Sequence, residues 1–227
     1  AWQLHDETGA LLEAGSHIIK PEGFTIPFNA EKVHGISTAF ALEHGEDLAS
    51  VLGQFSAAVK SCRVIVGHNV EFDQKIVGAE FLRTGLADPT PELPHICTKT
   101  ESIDYCAIPG GIGGGFKWPT LEELHQKLFG EGFVEAHNAA ADVIATARCF
   151  LEMLRIGLIS AEKMKTEDLV VENFRKANPG PVQPAAVELK SHREKAALAR
   201  SAGRERLEHK AAKTPLPGLF CHLHTHS

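Results

Sequence analysis

The sequence predicts an α/β domain, a mixed sheet flanked by helices, and three observations carry that prediction. The chain opens with a strand–turn–strand pattern. From about residue 60, short apolar runs alternate with amphipathic helical stretches. One continuously apolar run, in "SCRVIVGHN" (61–69), passes directly into a helix, as a strand buried on both faces does. A hairpin followed by alternating strands and helices gives an α/β or α+β sheet domain.

Each element has its local signal. "AWQL", "HDETG" and "ALLEAGSHIIKP" (1–21) read as strand, polar turn and strand, with Asp6 and Glu7 in the turn. "IPFNAEKVHGIS" (26–37) reads as loop, and 38–58 as one helix with Phe40, Leu48, Leu52 and Phe55 among its apolar positions. "VEFDQKIVGAEFLRTG" (70–85) is an amphipathic helix stopped by Gly85. "GLADPTPELP" is a loop, and "HICTKTESI" (95–103) a strand leading into a short helix. "AIPGGIGGGFKWP" (107–119) is glycine-rich but lacks the G-x-G-x-x-G spacing, so it carries no nucleotide-binding role. "TLEELHQKLFG" (120–130) is a helix with Thr120 as cap and Gly130 as stop. A long helix follows in 137–157, capped near Asn138.

Three segments follow from this organisation: an α/β domain at 1–157, a helical, Pro-rich basic linker at 158–217, and a new beginning at 218–227. The linker holds the hinge "NPGPVQPA" and an Ala/Lys/Arg/Glu helix at 190–213. Its Arg193, Arg200, Arg204 and Arg206 are interrupted by Glu194, Glu205 and Glu208, the pattern of a solvated face.

Composition bounds the function. With 227 residues and 43% hydrophobic content, the chain suffices for one sizeable core and an appendage. It has no run of about 18 apolar residues, so no membrane-spanning helix is expected. Five cysteines without a C-x-x-C pair fit a reducing, cytoplasmic setting. The net charge of −6 is asymmetric: 11 Lys and Arg against 21 Asp and Glu up to Ser160, and 12 against 8 beyond it. A first part at −10 cannot grip duplex DNA by bulk charge; if it handles nucleic acid, it does so through metal ions, a local groove or a tethered partner.

The chemistry-bearing residues fall at the starts of two helices. Asp73 lies four residues beyond Asn69, in the first turn of the helix after the apolar strand, where open α/β sheets bind ligands. His137 and Asp142 are five positions apart, which on one helix would point them about 140° apart. If both serve one site, His137 sits in the loop ahead of the helix, with Asn138 as cap.

"GHNVEFD" and "AHNAAADVIAT" resemble the second and third motifs of the DEDD exonuclease superfamily, in its His-containing branch. That branch includes the proofreading epsilon subunit of bacterial DNA polymerase III. The resemblance runs from about Trp2 to Leu154, with "IIKPEGFTIP", "VHGIS" and "TLEELHQKLFG" in the family's order. It implies a ribonuclease H-like fold and hydrolysis of the 3′-terminal phosphodiester by two divalent cations about 4 Å apart, Mg²⁺ or Mn²⁺. Asp73 and Asp142 are by resemblance metal ligands, and His137 the general base on the attacking water. His68 and Asn69 resemble supporting residues at the site rim. The implied partners are the single-stranded 3′ end of DNA, the polymerase and other replisome subunits.

The family's first motif is Asp-x-Glu on the first strand, where residues i and i+2 share a face. Asp6 and Glu7 are adjacent, would point to opposite faces, and precede Gly9 in a turn. The expectation is therefore that they are the turn, that the first strand and its two acids lie ahead of Ala1, and that this chain hydrolyses slowly or not at all. At the other end, "LFCHLHTHS" resembles the opening of the PHP domain that starts the polymerase alpha subunit. There His224 and His226 would pair on one strand face, with His222, for Zn²⁺ or another metal. A stand-alone exonuclease acting on RNA or DNA, and a non-catalytic nucleic-acid- or partner-binding module, are the rival readings.

Overall fold

The computed structural model describes residues 1–133, 139–182 and 220–223. Its centre is a five-stranded mixed sheet in the order β2-β1-β5-β3-β4. The strands are β1 (Trp2–His5), β2 (Leu11–Gly15), β3 (Val64–Gly67), β4 (His95–Cys97) and β5 (Phe220–Leu223). β1 is antiparallel to β2 and β5, whereas β3 is parallel to β4 and β5.

The first connection is a turn built around one carboxylate. Asp6 Oδ1 accepts from the Thr8 amide at 2.8 Å, the Thr8 hydroxyl at 2.7 Å and the Ala10 amide at 2.9 Å. Gly9 supplies the positive φ of 85° that the turn requires. Asp6 is thus occupied in holding the hairpin, and Glu7 is exposed beside it.

Alternation along the strands builds two cores. On one face Trp2, Leu4 and Ile65 pack with α3 (Leu48–Lys60) and α4 (Val70–Thr84) through Leu52, Phe55, Val77 and Phe81. On the other, Val64, Val66 and Ile96 pack with α7 (Leu121–Phe129) and α8 (Ala139–Arg155) through Leu124, Phe150 and Leu154. Mixed pairing with helices on both faces is the predicted class.

Three local expectations change. The single helix expected over 38–58 is two, α2 (Thr38–His44) and α3. A Cβ on Gly45 would lie 2.3 Å from the Ala41 carbonyl oxygen and 2.7 Å from the Lys20 amide, because residues 18–20 run against the break. Glu46 donates to the Ile18 carbonyl at 2.7 Å and accepts from the Lys20 amide at 2.9 Å, and the Asp47 side chain starts α3 by accepting from Ser50. The stretch expected as loop holds α1 (Phe28–His34), none of whose residues is buried. The "HICTKTESI" stretch and the residues after it give β4 and two single turns, α5 (Thr98–Glu101) and α6 (Ile103–Cys106).

Packing against α8 continues beyond Gly157. α9 (Asp168–Ala177) buries Val171 and Phe174, and Ile159, Met164 and Val182 join the same core. The helix expected at 190–213 lies outside the described residues. So do His224 and His226, while the described part of 218–227, β5, is the middle strand of this sheet. With β5 between β1 and β3 the sheet has five strands, none of which carries an Asp-x-Glu pair. No helix among the described residues is long and apolar enough to cross a membrane.

Candidate active site at the carboxyl edge of the sheet

The passage from β3 into α4 is tight, and the sequence makes it so. A Cβ on Gly67 would stand 3.0 Å from both Cα and Cβ of Val70. Asn69 then reverses the chain in the left-handed region, φ 81°, ψ 40°, a conformation that Asn adopts more readily than other non-glycine residues. Asn69 occupies the N-cap position, but its side chain makes no cap bond. Its Oδ1 instead accepts from Lys99 Nζ at 3.2 Å.

His68 ties three segments together. Its Nε2 lies 3.1 Å from the Pro119 carbonyl, to which it donates, and its Nδ1 lies 3.0 Å from the Thr98 hydroxyl. In the neutral tautomer that donates from Nε2, Nδ1 accepts the hydroxyl proton. The ring thereby pins the end of the glycine-rich loop and the start of α5 to the end of β3.

The two carboxylates come from opposite layers. Asp73 sits in the first turn of α4 and is 2% exposed; Asp142 sits in the first turn of α8 and is 6% exposed. The direction of α8 places Asp142. Phe150 meets His222, which is level with Val66, at a ring separation of 5.4 Å. Further along, Leu151 packs on the Gly9 turn, and the Leu154 carbonyl accepts from Arg175 near Asn178, which reaches Thr8. The C-terminal end of α8 is therefore at the hairpin-turn edge, where β3 begins. Asp142, eight residues before Phe150, lies about 12 Å toward the opposite edge. That is the carboxyl edge of β3, where Asn69 and Asp73 are. Both acids thus flank one end of the sheet, one from each face.

Oxygen donors of this kind suit a hard divalent cation. Among the described residues, no group of three or more His, Cys, Asp or Glu side chains could by itself hold a metal ion. His137 and Asn138 lie outside the described residues, as do His224 and His226.

The approach to α8 is braced from α7. His125 is buried, with Nδ1 donating to the Glu131 carbonyl at 2.8 Å and Nε2 accepting from Arg148 Nη1 at 3.0 Å. Arg148 also reaches Glu131 Oε1 at 3.0 Å and lies 3.9 Å from the Phe129 ring centroid. Burial holds the His125 imidazole below its ordinary range, so the neutral ring does this work.

Two residues beside the edge were not singled out by sequence. Lys99 bridges Asn69 to the indole of Trp118, with Nζ 4.6 Å from the ring centroid. The available signal was an aromatic residue at the end of a glycine-rich loop, next to a lysine and a proline.

The exonuclease family model RNase_T matches residues 6–150. Among solved structures, the chain resembles Escherichia coli exonuclease I, crystallised in complex with a dA16 oligonucleotide, at a TM-score of 0.52 and 19% identity. The match covers 73% of this chain and 36% of that one, so this chain spans about a third of that protein's length. No curated protein matches.

Proposed function

The chain belongs to the RNase_T exonuclease family, and from that premise we propose that it is a 3′→5′ exonuclease unit acting on single-stranded DNA ends in replication. The observation that carries the reading is the placement of Asp73 and Asp142, buried and on one sheet edge, one from each layer. They are the residues to hold two divalent cations, Mg²⁺ or Mn²⁺, which would neutralise charge on the scissile phosphate. His137 would take the proton from the attacking water. Asn69 and His68 shape the rim, His68 by holding the 107–119 loop against β3. The oligonucleotide bound by the structural neighbour supports a single-stranded substrate. A proofreading role joined to a polymerase rests on the motif resemblance and on His224 and His226, read as the opening of a PHP domain.

The test is single-turnover degradation of a 5′-labelled single strand in Mg²⁺ or Mn²⁺, with RNA alongside DNA. The chain carries two of the four acids in the family pattern, so a slow rate is expected. Asp73→Asn or Asp142→Asn should lower it by a further factor of about 100 or more, the scale of removing one preorganised charge partner. A rate indifferent to both variants would sink the assignment.

One feature favours a second reading: an Asp-x-Glu strand does not occur in these 227 residues. A module that holds a nucleic-acid end without cutting it predicts oligonucleotide binding and no metal-dependent shortening.

A further inference from the structure

The carboxyl edge is bordered by a surface that the two acids do not explain. Trp118 is 62% exposed, and Phe72, adjacent to Asp73, is 41% exposed. Single exposed aromatics are ordinary, but Phe72 stands in the first turn of α4 and Trp118 beside the Pro119 that His68 holds just ahead of that helix. Trp118 immediately precedes Pro119, whose carbonyl is held by His68. Lys99 spans the interval, over the indole on one side and on Asn69 Oδ1 on the other.

The charge of Lys99 is the second part of the observation. Nearby lysines are neutralised: Lys75 by Glu71, Lys117 by Glu123 and Lys163 by Glu101. Among the described residues Lys99 makes no ion pair; its contacts are an amide oxygen and a π face. In a chain region carrying −10 up to Ser160, an ammonium left without a carboxylate next to an exposed indole has a specific complement. A nucleotide offers both halves of it, a base to stack and a phosphate to pair.

We propose that Trp118 and Lys99 form a nucleotide subsite on the rim of the exonuclease site, the indole stacking on a base and the ammonium taking a backbone phosphate. This rests on the exonuclease reading and adds where the strand is held. Stacking on an indole is tolerant of base identity, because every base has a π face. The subsite therefore fixes the strand without selecting sequence, as removal of any terminal nucleotide requires. On binding, the phosphate replaces the Asn69 oxygen as partner of Lys99, and the indole exchanges the cation for a base.

Intrinsic fluorescence isolates this surface. The only other tryptophan, Trp2, is 4% exposed, so quenching by an added base reports Trp118. The 227-residue chain is titrated in EDTA with an eight-nucleotide oligo(dT) and with an abasic strand of equal length, while anisotropy of a labelled oligo(dT) gives the affinity. The expected result is quenching by oligo(dT) and not by the abasic strand. Trp118→Ala should weaken binding about tenfold or more, the factor one lost base–aromatic stack represents, and Trp118→Phe should retain most of it. Lys99→Ala should flatten the dependence of log affinity on log salt by about 0.7, one phosphate contact on a single strand.

Binding without quenching, or with equal quenching by the abasic strand, would overturn the subsite and leave the exonuclease reading intact. Absence of binding would overturn it too. The exonuclease reading falls separately, on hydrolysis indifferent to Asp142→Asn.

Discussion

Asp6 carries more of the fold than any other acid near the start of the chain. One carboxylate oxygen accepts three donors across the hairpin turn, so Asp6→Ala leaves two amides and a hydroxyl to water and frees the turn. The expected cost is about 1–2 kcal/mol, the net worth of one or two such bonds, read as a lower urea midpoint at unchanged slope. Oligonucleotide binding should be unaltered, since the turn lies at the edge of the sheet opposite Asp73 and Asp142. Unaltered stability would mean the turn is held by Gly9 and strand pairing alone. At this scale the candidate site was half legible. Asp73 and Asp142 were singled out by the resemblance of "GHNVEFD" and "AHNAAADVIAT" to the exonuclease motifs, since an acid in the first turn of a helix is by itself an ordinary helix-start residue. The turn role of Asp6 and Glu7 followed from their adjacency and from Gly9. Lys99 and Trp118 were not visible, because their meeting depends on His68 closing a loop over 51 positions of sequence.

Elements were legible where they carry their own stop signals and obscure where a distant segment decides. α7 begins at Thr120 in a reciprocal cap with Glu123 and ends at Gly130 in the left-handed region, all of it local. Thr120→Ala should cost about 1 kcal/mol and shift the thermal midpoint down. The break between α2 and α3 is different. Its cause is the backbone of residues 18–20 lying against Gly45 and Glu46, and Gly45 there has φ −73°, open to any residue. The glycine serves for space and not for conformation. Gly45→Ala should therefore destabilise by about 1–3 kcal/mol, as overpacking against rigid backbone does. Gly23→Ala is the contrast. Gly23 has φ 76° and open space around its Cβ position, so conformational strain is the dominant cost there, about 1–2 kcal/mol.

The whole molecule is joined at a polar seam in its apolar middle. β5 lies between β1 and β3, and His222 on it is fully buried against His5 at 4.9 Å and Phe150. His5 donates through Nδ1 to the Gly9 carbonyl at 3.0 Å, while both ring nitrogens of His222 find no partner among the described residues. No reading of local pattern anticipates this seam, since it brings the far end of the chain beside its beginning. Burial lowers the pKa of His5 and His125, and that of His222 further, with His5 adding to it. The sign is fixed by the unfolded chain, which takes up protons near the ordinary 6.5 while the folded state resists them. Stability is fully present above that value and is lost as pH falls through it toward the lowered folded values. Each such histidine steepens the loss by up to about 1.4 kcal/mol per pH unit. Urea unfolding between pH 7.5 and 5.5 should show it. His222→Leu removes the histidine with the strongest downward shift and both unpartnered nitrogens at similar volume, so it should raise stability at pH 7.5 and flatten the acid slope. An unchanged slope would mean that His222 is hydrated or bonded in solution and that β5 sits less deeply between β1 and β3 than the sheet order places it.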